Sequence, residues 1–237
     1  MSHHAPNAAT APTDFLLAQL VWPAAAGGPR DVMARAGAAI SRLPPGAPAL
    51  RLVRGARAVQ PPTIYLYYAL DQRASLAPQD AWPLEQALAA AFSGEAVQVA
   101  VSRLEKVFER AGHSSGQACA AHYVVEMDPQ EGWMPEISAW YDQEHMPGLA
   151  AVPGCAHAQR MLNHDHGPLS LACYDLVTEA ALNSPPWLAV RATAWSDIAR
   201  PHFTNTKRTM FQRLPDAPPD RGRCMQACAA VFSKIGM

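Results

Sequence analysis

The stretch WMPEISAWYDQEHMPGLAAVPGCAHAQR, residues 133–160, decides most of what the sequence indicates about the fold. Pro135 is tolerated only in the first turn of a helix, so a helix is predicted to begin beside it. Apolar residues then recur at helical spacing and give this helix one buried face. Pro147 disfavours helical backbone at the residue before it, so the helix is predicted to end near His145. The turn at Pro153-Gly154 leads into a strand.

The composition is that of a globular protein with a sizeable core. The chain has 237 residues, of which 49% are hydrophobic and 16% charged. A net charge of -1 gives no electrostatic reason to expect a nucleic-acid partner. The apolar runs are too short for a membrane span, so no membrane partner is expected. Five cysteines without an export signal predict reduced thiols and a cytoplasmic location.

Local patterns predict two successive sets of elements, each in the order strand, helix, strand, strand, helix, strand. In the first set, the strands are expected at 14–22, 49–54, 63–70 and within 97–110, and the helices at 30–43 and 80–92. In the second set, the strands are expected at 120–127, 154–162, 169–177 and 203–214, and the helices at 134–145 and 187–198.

The two sets register at an offset of about 106 residues, which is a repeat signal. Arg54 falls on Arg160, and Tyr68 falls on Tyr174. A βαββαβ unit leaves one face of its sheet bare, and two units in one chain can bury these faces on each other. The alternative is two independent domains with a coincidental register. The predicted division is a disordered N-terminus (1–13), two repeats (14–111 and 117–214), and a linker with a C-terminal tail (215–237).

The pattern W-Y-x-x-E-H-x-P, followed by V-P-G and a strand ending in arginine, resembles the dimeric α+β-barrel superfamily. It is most similar to the EthD-like and related uncharacterised members. The resemblance covers 120–214 better than 14–110. It implies an α+β fold of tandem ferredoxin-like βαββαβ repeats, whose antiparallel sheets pack as an intrachain dimeric α+β barrel. Several members look like isomerases, lyases, cyclases or monooxygenases that use a histidine in a small apolar pocket and no cofactor. The resemblance therefore implies that no cofactor is needed here.

Polar side chains of the second half that fall on apolar residues of the first half suggest two candidate catalytic clusters. His122 and Glu126 share one face of a strand, where they could form an acid/base pair or bind a ligand. A structurally satisfied pair is the alternative. His145 follows Glu144, and an imidazole beside carboxylates should have a raised pKa and could shuttle protons. Alternatively, both residues of this second cluster fasten the end of the helix.

The candidate substrate-binding residues surround these clusters in the sequence. Arg160 ends the strand after the Pro-Gly turn. An arginine there could hold a carboxylate with two hydrogen bonds, either that of Glu144 or that of an acidic substrate. The pair His164-x-His166 lies in a turn with no third ligand nearby, so no metal is predicted. The segment PHFTNTKRTMF resembles the closing strand of EthD-like sequences. The substrate-binding candidates are Trp140, Tyr141, Arg160, Tyr174, His202 and Arg208.

Two hypotheses about function follow from these features. The first is a cofactor-independent enzyme that acts on a small apolar or aromatic-derived acid or lactone. The second is a non-catalytic small-molecule-binding or stress-type protein of the same fold. A closed, water-poor pocket reached by one of the histidines would favour the enzyme. Association into a homo-oligomer stays open.

Overall fold

The computed structural model describes residues 9–23, 28–58 and 60–215. Within these ranges the strands occur in the predicted order, and β1 begins at Ala11, so residues 11–13 belong to the sheet. Residues 1–8 of the predicted disordered N-terminus and 216–237 of the predicted tail lie outside the described residues. The strands are Ala11–Val21 (β1), Leu50–Ala58 (β2), Thr63–Leu76 (β3), Gln98–Ala111 (β4), Ala121–Pro129 (β5), Cys155–Asn163 (β6), Ser170–Leu176 (β7) and Phe203–Arg213 (β8).

The α-helices are short, and none in the described ranges is long and apolar enough to cross a membrane. The helix predicted at 187–198 is two helices, because Thr193 starts a new one by accepting a hydrogen bond from the backbone N–H of Ser196. The helices are Val32–Ile40 (α1), Trp82–Ala91 (α2), Met134–Trp140 (α3), Met146–Ala150 (α4), Pro185–Arg191 (α5) and Ala194–Ala199 (α6).

All eight strands close into one antiparallel barrel, in the order β1-β3-β2-β8-β5-β7-β6-β4 and back to β1. The first four strands form a sheet ordered β4-β1-β3-β2, and the last four form one ordered β8-β5-β7-β6. One joint pairs Ala56 and Arg57 of β2 with β8. The other pairs β4, from Leu104 to Ala111, with β6. Closure therefore pairs both edges of each four-stranded sheet within the described chain.

Apolar side chains fill three layers. Helices α1 and α2 cover the outer face of the first sheet, and α3 to α6 cover that of the second. Both sheets contribute to a third core inside the barrel, because successive side chains of a strand point to opposite faces. The interior residues include Leu17, Tyr65, Tyr67 and Leu104 from the first half and Val124, Met161, Leu171 and Phe211 from the second.

Candidate functional site

A narrow cleft lies between the helices of the second half and the outer face of its sheet. The space in and in front of it, open solvent included, is about 380 Å³. Of the residues expected at a site, it brings together His145, Trp140, Tyr141, Tyr174 and Arg208. The full lining is Tyr123, Val125, Trp140, Tyr141, His145, Leu149, Tyr174, Trp187, Arg191, Arg200, Phe203 and Arg208.

The helix that carries His145 does not end there, so that prediction is wrong. Tyr141–His145 forms a π-helical turn, and the chain continues directly into α4. Pro147 lies in the first turn of α4, where its missing N–H is tolerated, and Met146 keeps helical angles of φ −66° and ψ −45°. Single π turns within helices occur frequently at functional sites, which draws attention to this segment.

The π turn places His145 against two aromatic rings. Its imidazole stacks on Trp140, with the ring centroids 4.1 Å apart, and Tyr141 meets it edge-on at 5.7 Å. The residue is 8% exposed, and its Nδ1 atom is buried without a hydrogen-bond partner in the described chain. Burial and the charges of Arg191 and Arg200 lower the pKa of His145 to about 3. The expected raised pKa is therefore wrong, and the imidazole is neutral near pH 7.

The carboxylates that were expected to raise this pKa have other partners. Glu144 accepts a hydrogen bond from the hydroxyl of Thr193 at 2.6 Å, which ties the π turn to the start of α6. Asp142 pairs with Arg160 at 2.9 Å. Arg160 thus pairs with Asp142 rather than Glu144, and its guanidinium lies 5.4 Å from the ring centroid of the cleft residue Tyr141 without itself lining the cleft. Glu144 thus fastens the π turn to α6, whereas the expected pairing of Arg160 with Glu144 is absent, because Asp142 takes that place.

Three guanidinium groups lie at the cleft, and they come from different elements. Arg191 ends α5, Arg200 follows α6, and Arg208 lies in β8. In the described chain none of them makes an ion pair or a hydrogen bond through its side chain. Burial and repulsion from Arg191 and Arg208 lower the pKa of Arg200, and Asp197 offsets only part of this. The cleft therefore has an unbalanced positive charge.

Two indole N–H groups in the cleft walls also lack acceptors. Nε1 of Trp140 and Nε1 of Trp187 are buried without a partner in the described chain. Each such buried donor without an acceptor costs about 1–3 kcal/mol. Trp187 packs edge-on against Tyr174 at 5.2 Å, and the Tyr174 hydroxyl donates to the sulfur of Met146 at 3.0 Å. Apolar walls with a few unpaired polar groups are typical of small-molecule sites.

His122 lies inside the barrel, away from the cleft. Its Nδ1 atom donates to Asp175 at 2.8 Å, and its Nε2 atom accepts from the Tyr67 hydroxyl at 3.0 Å. Asp175 also pairs with Arg54 at 2.8 Å and Arg213 at 3.3 Å. Burial lowers the pKa of His122 to about 4, although Asp175 opposes the shift. Both ring nitrogens are occupied and the residue is fully buried, as expected for a structural histidine.

Glu126 also lies inside the barrel but does not pair with His122. It accepts from the Tyr65 hydroxyl at 2.9 Å and lies 3.2 Å from Nζ of Lys207. Residues four apart on one strand are separated by roughly 13 Å, so a shared face does not bring two side chains together. The first half of the chain supplies Tyr65 to Glu126 and Tyr67 to His122. The sequence of the second half does not indicate these partners.

The remaining candidates lie elsewhere. His202 stacks on Trp133, with ring centroids 3.2 Å apart, and its Nδ1 atom lies 2.7 Å from the Gln130 side chain, outside the cleft lining. Between His164 and His166, Asp165 accepts hydrogen bonds from Arg103. In the described ranges no three His, Cys, Asp or Glu residues cluster as a metal site.

Sequence reasoning missed Arg191, Arg200 and Trp187, although one signal for the arginines was present. From 185 to 210 the chain contains one acidic residue, Asp197, against four lysines and arginines. A basic stretch with so few acidic neighbours leaves cations without local partners. It does not indicate that helix ends and a strand bring these cations to one cleft, which depends on tertiary packing.

No family model matches the sequence, and no curated protein matches it significantly. Among solved structures, a "putative monooxygenase" from Lactobacillus acidophilus NCFM superposes with a TM-score of 0.56 and 10% identity, over 86% of this chain and 94% of that one.

Two further solved structures superpose over a similar share of the chain. An anthrone oxidase-like protein gives a TM-score of 0.51 and 12% identity, over 86% of this chain and 92% of that one. A structure named "Putative Chlorite dismutase" gives a TM-score of 0.50 and 13% identity, over 86% of this chain and 96% of that one. At such identities the likeness shows the fold alone, which is the α+β barrel of these ferredoxin-like structures.

Proposed function

We propose that the chain is an internally duplicated, EthD-like member of the dimeric α+β-barrel superfamily, with repeats at 14–111 and 117–214. The same order of elements and the same strand order in both halves support this. Leu52 pairs with Tyr68 between β2 and β3, and Ala158 pairs with Tyr174 between β6 and β7. Both pairs are related by the offset of 106 read from the sequence. A cytoplasmic location stays a prediction.

The proposed function is that of a cofactor-independent enzyme whose substrate is a small, aromatic-derived acid or lactone bound in the cleft. The observation that carries this proposal is a buried, neutral His145 with an unpartnered nitrogen beside unpaired guanidinium groups. Such an arrangement suits proton abstraction. A neutral imidazole can accept a proton, and fixed positive charges stabilise the anion that remains.

In the proposed first step, His145 takes a proton from an acidic C–H or O–H bond of the substrate. The electron pair stays on the substrate as an enolate or phenolate beside Arg191 and Arg200. A bound anion also offsets the charges that lower the pKa of His145, so the imidazole becomes a stronger base in the complex. Return of the proton to a second carbon completes an isomerisation without another reactant.

The same anion could instead react with O2, which is the monooxygenase form of the proposal. A CH2 group would become a carbonyl, and the second oxygen atom would leave as water. The names of two structural neighbours support testing this form. Tyr141 and Trp140 would exclude bulk water from the imidazole during either reaction.

Deuterium exchange tests the proposed step directly. Purified protein is incubated in D2O with aromatic acids and lactones, and substrate deuteration and O2 consumption are followed by mass spectrometry and an oxygen electrode. His145→Ala should fold and lose roughly 10²- to 10⁴-fold in rate. His202→Ala is the matched control, because His202 lies outside the cleft lining, and it should react like the wild type. Equal rates for His145→Ala and the wild type would reject His145 as the base.

The alternative is a small-molecule-binding protein without catalysis. A pKa of about 3 makes His145 a weak base in the free protein, which favours this alternative if a bound anion fails to raise it. A compound that binds in the cleft with no exchange, no O2 consumption and no product would support the alternative.

A further inference from the structure

We infer that the ligand of the cleft is an aromatic carboxylate, whose carboxylate is held jointly by Arg191, Arg200 and Arg208 and whose ring packs on the half-buried rings of Tyr123 and Phe203. This inference rests on the proposed function, because it concerns the same cleft. It chooses an acid over a lactone and assigns two arginines that the sequence did not suggest.

The missing counter-charge is the first observation behind this inference. Elsewhere in the described chain, arginines near or inside the core meet carboxylates, as Arg54 does with Asp175 and Arg103 with Asp165. The three cleft arginines meet none, although Arg191 and Arg200 are half-buried; Arg208 is exposed. Clustering like charges in a partly buried cleft costs free energy, which a bound anion recovers. A neutral lactone would leave that cost in place.

The three cations also converge on one region. All three arginines, Arg191, Arg200 and Arg208, line the cleft. Burial raises the pKa of the Tyr123 hydroxyl, and the positive charge of each arginine opposes that rise. Guanidinium groups bind carboxylates through paired N–H donors in a planar fork. Donors from α5, the turn after α6 and β8 can therefore surround one carboxylate from different sides.

The remaining walls favour a planar ring. Phe203 lies 5.9 Å from both Tyr141 and Trp140, and Trp187 lies 5.2 Å from Tyr174, measured between ring centroids. These rings contact one another and are buried apart from Phe203, so the aromatic surface left for a ligand is that of the half-buried Phe203 and Tyr123, on which a planar ring stacks better than a branched aliphatic chain. These features distinguish the expected ligand from a simple inorganic anion.

The test is calorimetric titration of the full-length protein with three probes at pH 7.5. 2-Naphthoate carries both the ring and the charge, 2-naphthamide keeps the ring without the charge, and inorganic phosphate has the charge without the ring. We expect naphthoate to bind at least roughly tenfold more tightly than the amide, since hydrogen bonds to charged groups are the stronger ones. Phosphate should bind more weakly than naphthoate, and added salt should weaken naphthoate binding.

Single Met substitutions then assign the arginines. Arg191→Met, Arg200→Met and Arg208→Met should each weaken naphthoate roughly 10- to 100-fold and change amide binding little. Arg42→Met is the matched control, because Arg42 is exposed in the first half and undergoes the same change of charge. Without ligand, Arg200→Met should melt no lower than the wild type, because it removes a repelled cation. A merely structural arginine would lower the melting temperature.

The inference is overturned if the amide binds as tightly as naphthoate, if phosphate does so, or if naphthoate does not bind at millimolar concentration. It is also overturned if the three cleft variants bind naphthoate like Arg42→Met. Failure of the proposed function looks different. In that case naphthoate binds through the arginines, but no tested aromatic acid shows exchange or oxygen uptake that depends on His145.

Discussion

The two buried histidines differ in what their ring nitrogens contact. Both nitrogens of His122 are hydrogen-bonded inside the barrel, to Asp175 and to Tyr67. His145 keeps one buried nitrogen without a partner and lines a cleft. A buried imidazole whose hydrogen bonds are complete holds structure together, whereas His145 lines a cleft with one hydrogen bond left unmade. This contrast separates two residues that are equally plausible catalysts in the sequence.

Both histidines make stability depend on pH, and the sign follows from their lowered pKa values. The unfolded chain takes up a proton on each near its ordinary pKa of 6.5, but the folded chain does so only near 4 for His122 and 3 for His145. Stability is therefore full above pH 6.5 and falls as the pH drops towards 4. The expected slope approaches 1.4 kcal/mol per pH unit for each histidine.

Urea unfolding at pH 7.5, 6.5, 5.5 and 4.5 measures this dependence. His145→Gln has no titrating imidazole and should show a shallower fall than the wild type. His202→Gln retains both buried histidines and should follow the wild type. A free energy of unfolding that stays level from pH 7.5 to 4.5 would contradict the neutral, buried state of both residues.

Asp175 should be a costly carboxylate to neutralise. Burial alone would raise its pKa, but Arg54, His122 and Arg213 together hold the pKa of Asp175 well below its usual range. Asp175→Asn leaves two arginines without their counter-charge, so we expect a loss of about 3–5 kcal/mol in the free energy of unfolding. Lys106→Met breaks an exposed ion pair and should cost less than about 1 kcal/mol. Similar losses in the two variants would contradict the prediction.

At the residue scale, residue type and periodicity in the sequence are enough to make His145, Trp140, Tyr141, Tyr174 and Arg208 candidates. Residue type and periodicity could not give the direction of the pKa shift of His145. Burial and the charges of Arg191 and Arg200, which are far from His145 in the sequence, outweigh the neighbouring carboxylates. Charge order along a chain predicts electrostatics poorly when the side chains point in different directions.

At the scale of elements, the π turn is the feature that local rules misjudge. The bias of proline against a preceding helical residue predicts an end to the helix before Pro147. In the structure the helix continues through the π turn Tyr141–His145, and Pro147 lies in the first turn of α4, where it is tolerated. Packing of α4 against α5 and β6 favours continuation, which no local propensity can reveal.

Gly148 tests this packing. A Cβ atom there would lie 2.8 Å from a methyl group of Val190 on α5, closer than real contacts allow. Helix propensity alone would make Gly148→Ala stabilising by about 0.5–1 kcal/mol. We instead expect Gly148→Ala to destabilise by about 1–3 kcal/mol, as overpacking does. Gly148→Ala combined with Val190→Ala should recover part of the loss relative to the two single variants, and additive losses in thermal unfolding would contradict the contact.

At the scale of the molecule, the barrel makes the two halves depend on each other. The inner faces of both sheets share one core, and Tyr65 and Tyr67 of the first half bind Glu126 and His122 of the second. The order of elements was predictable from sequence because each strand and helix has a strong local pattern. The pairing of β2 with β8 and of β4 with β6 was not, since it depends on contacts between distant segments.

Separating the halves should therefore prevent folding. Residues 1–116 and 117–237, expressed alone, would each expose the inner face of a sheet, so we expect aggregation or self-association. Co-expression should restore a folded one-to-one complex. Light scattering and circular dichroism measure the outcome. A folded monomer with cooperative unfolding from either half alone would contradict the shared core.

NMR of the histidine rings during titration with 2-naphthoate decides whether the second-half cleft is the ligand site and His145 its reactive group. We predict that the resonances of His145 shift and that its pKa rises from about 3 as the cleft fills, while those of His122 stay unchanged. Binding of naphthoate that leaves the ring of His145 unperturbed would contradict both assignments.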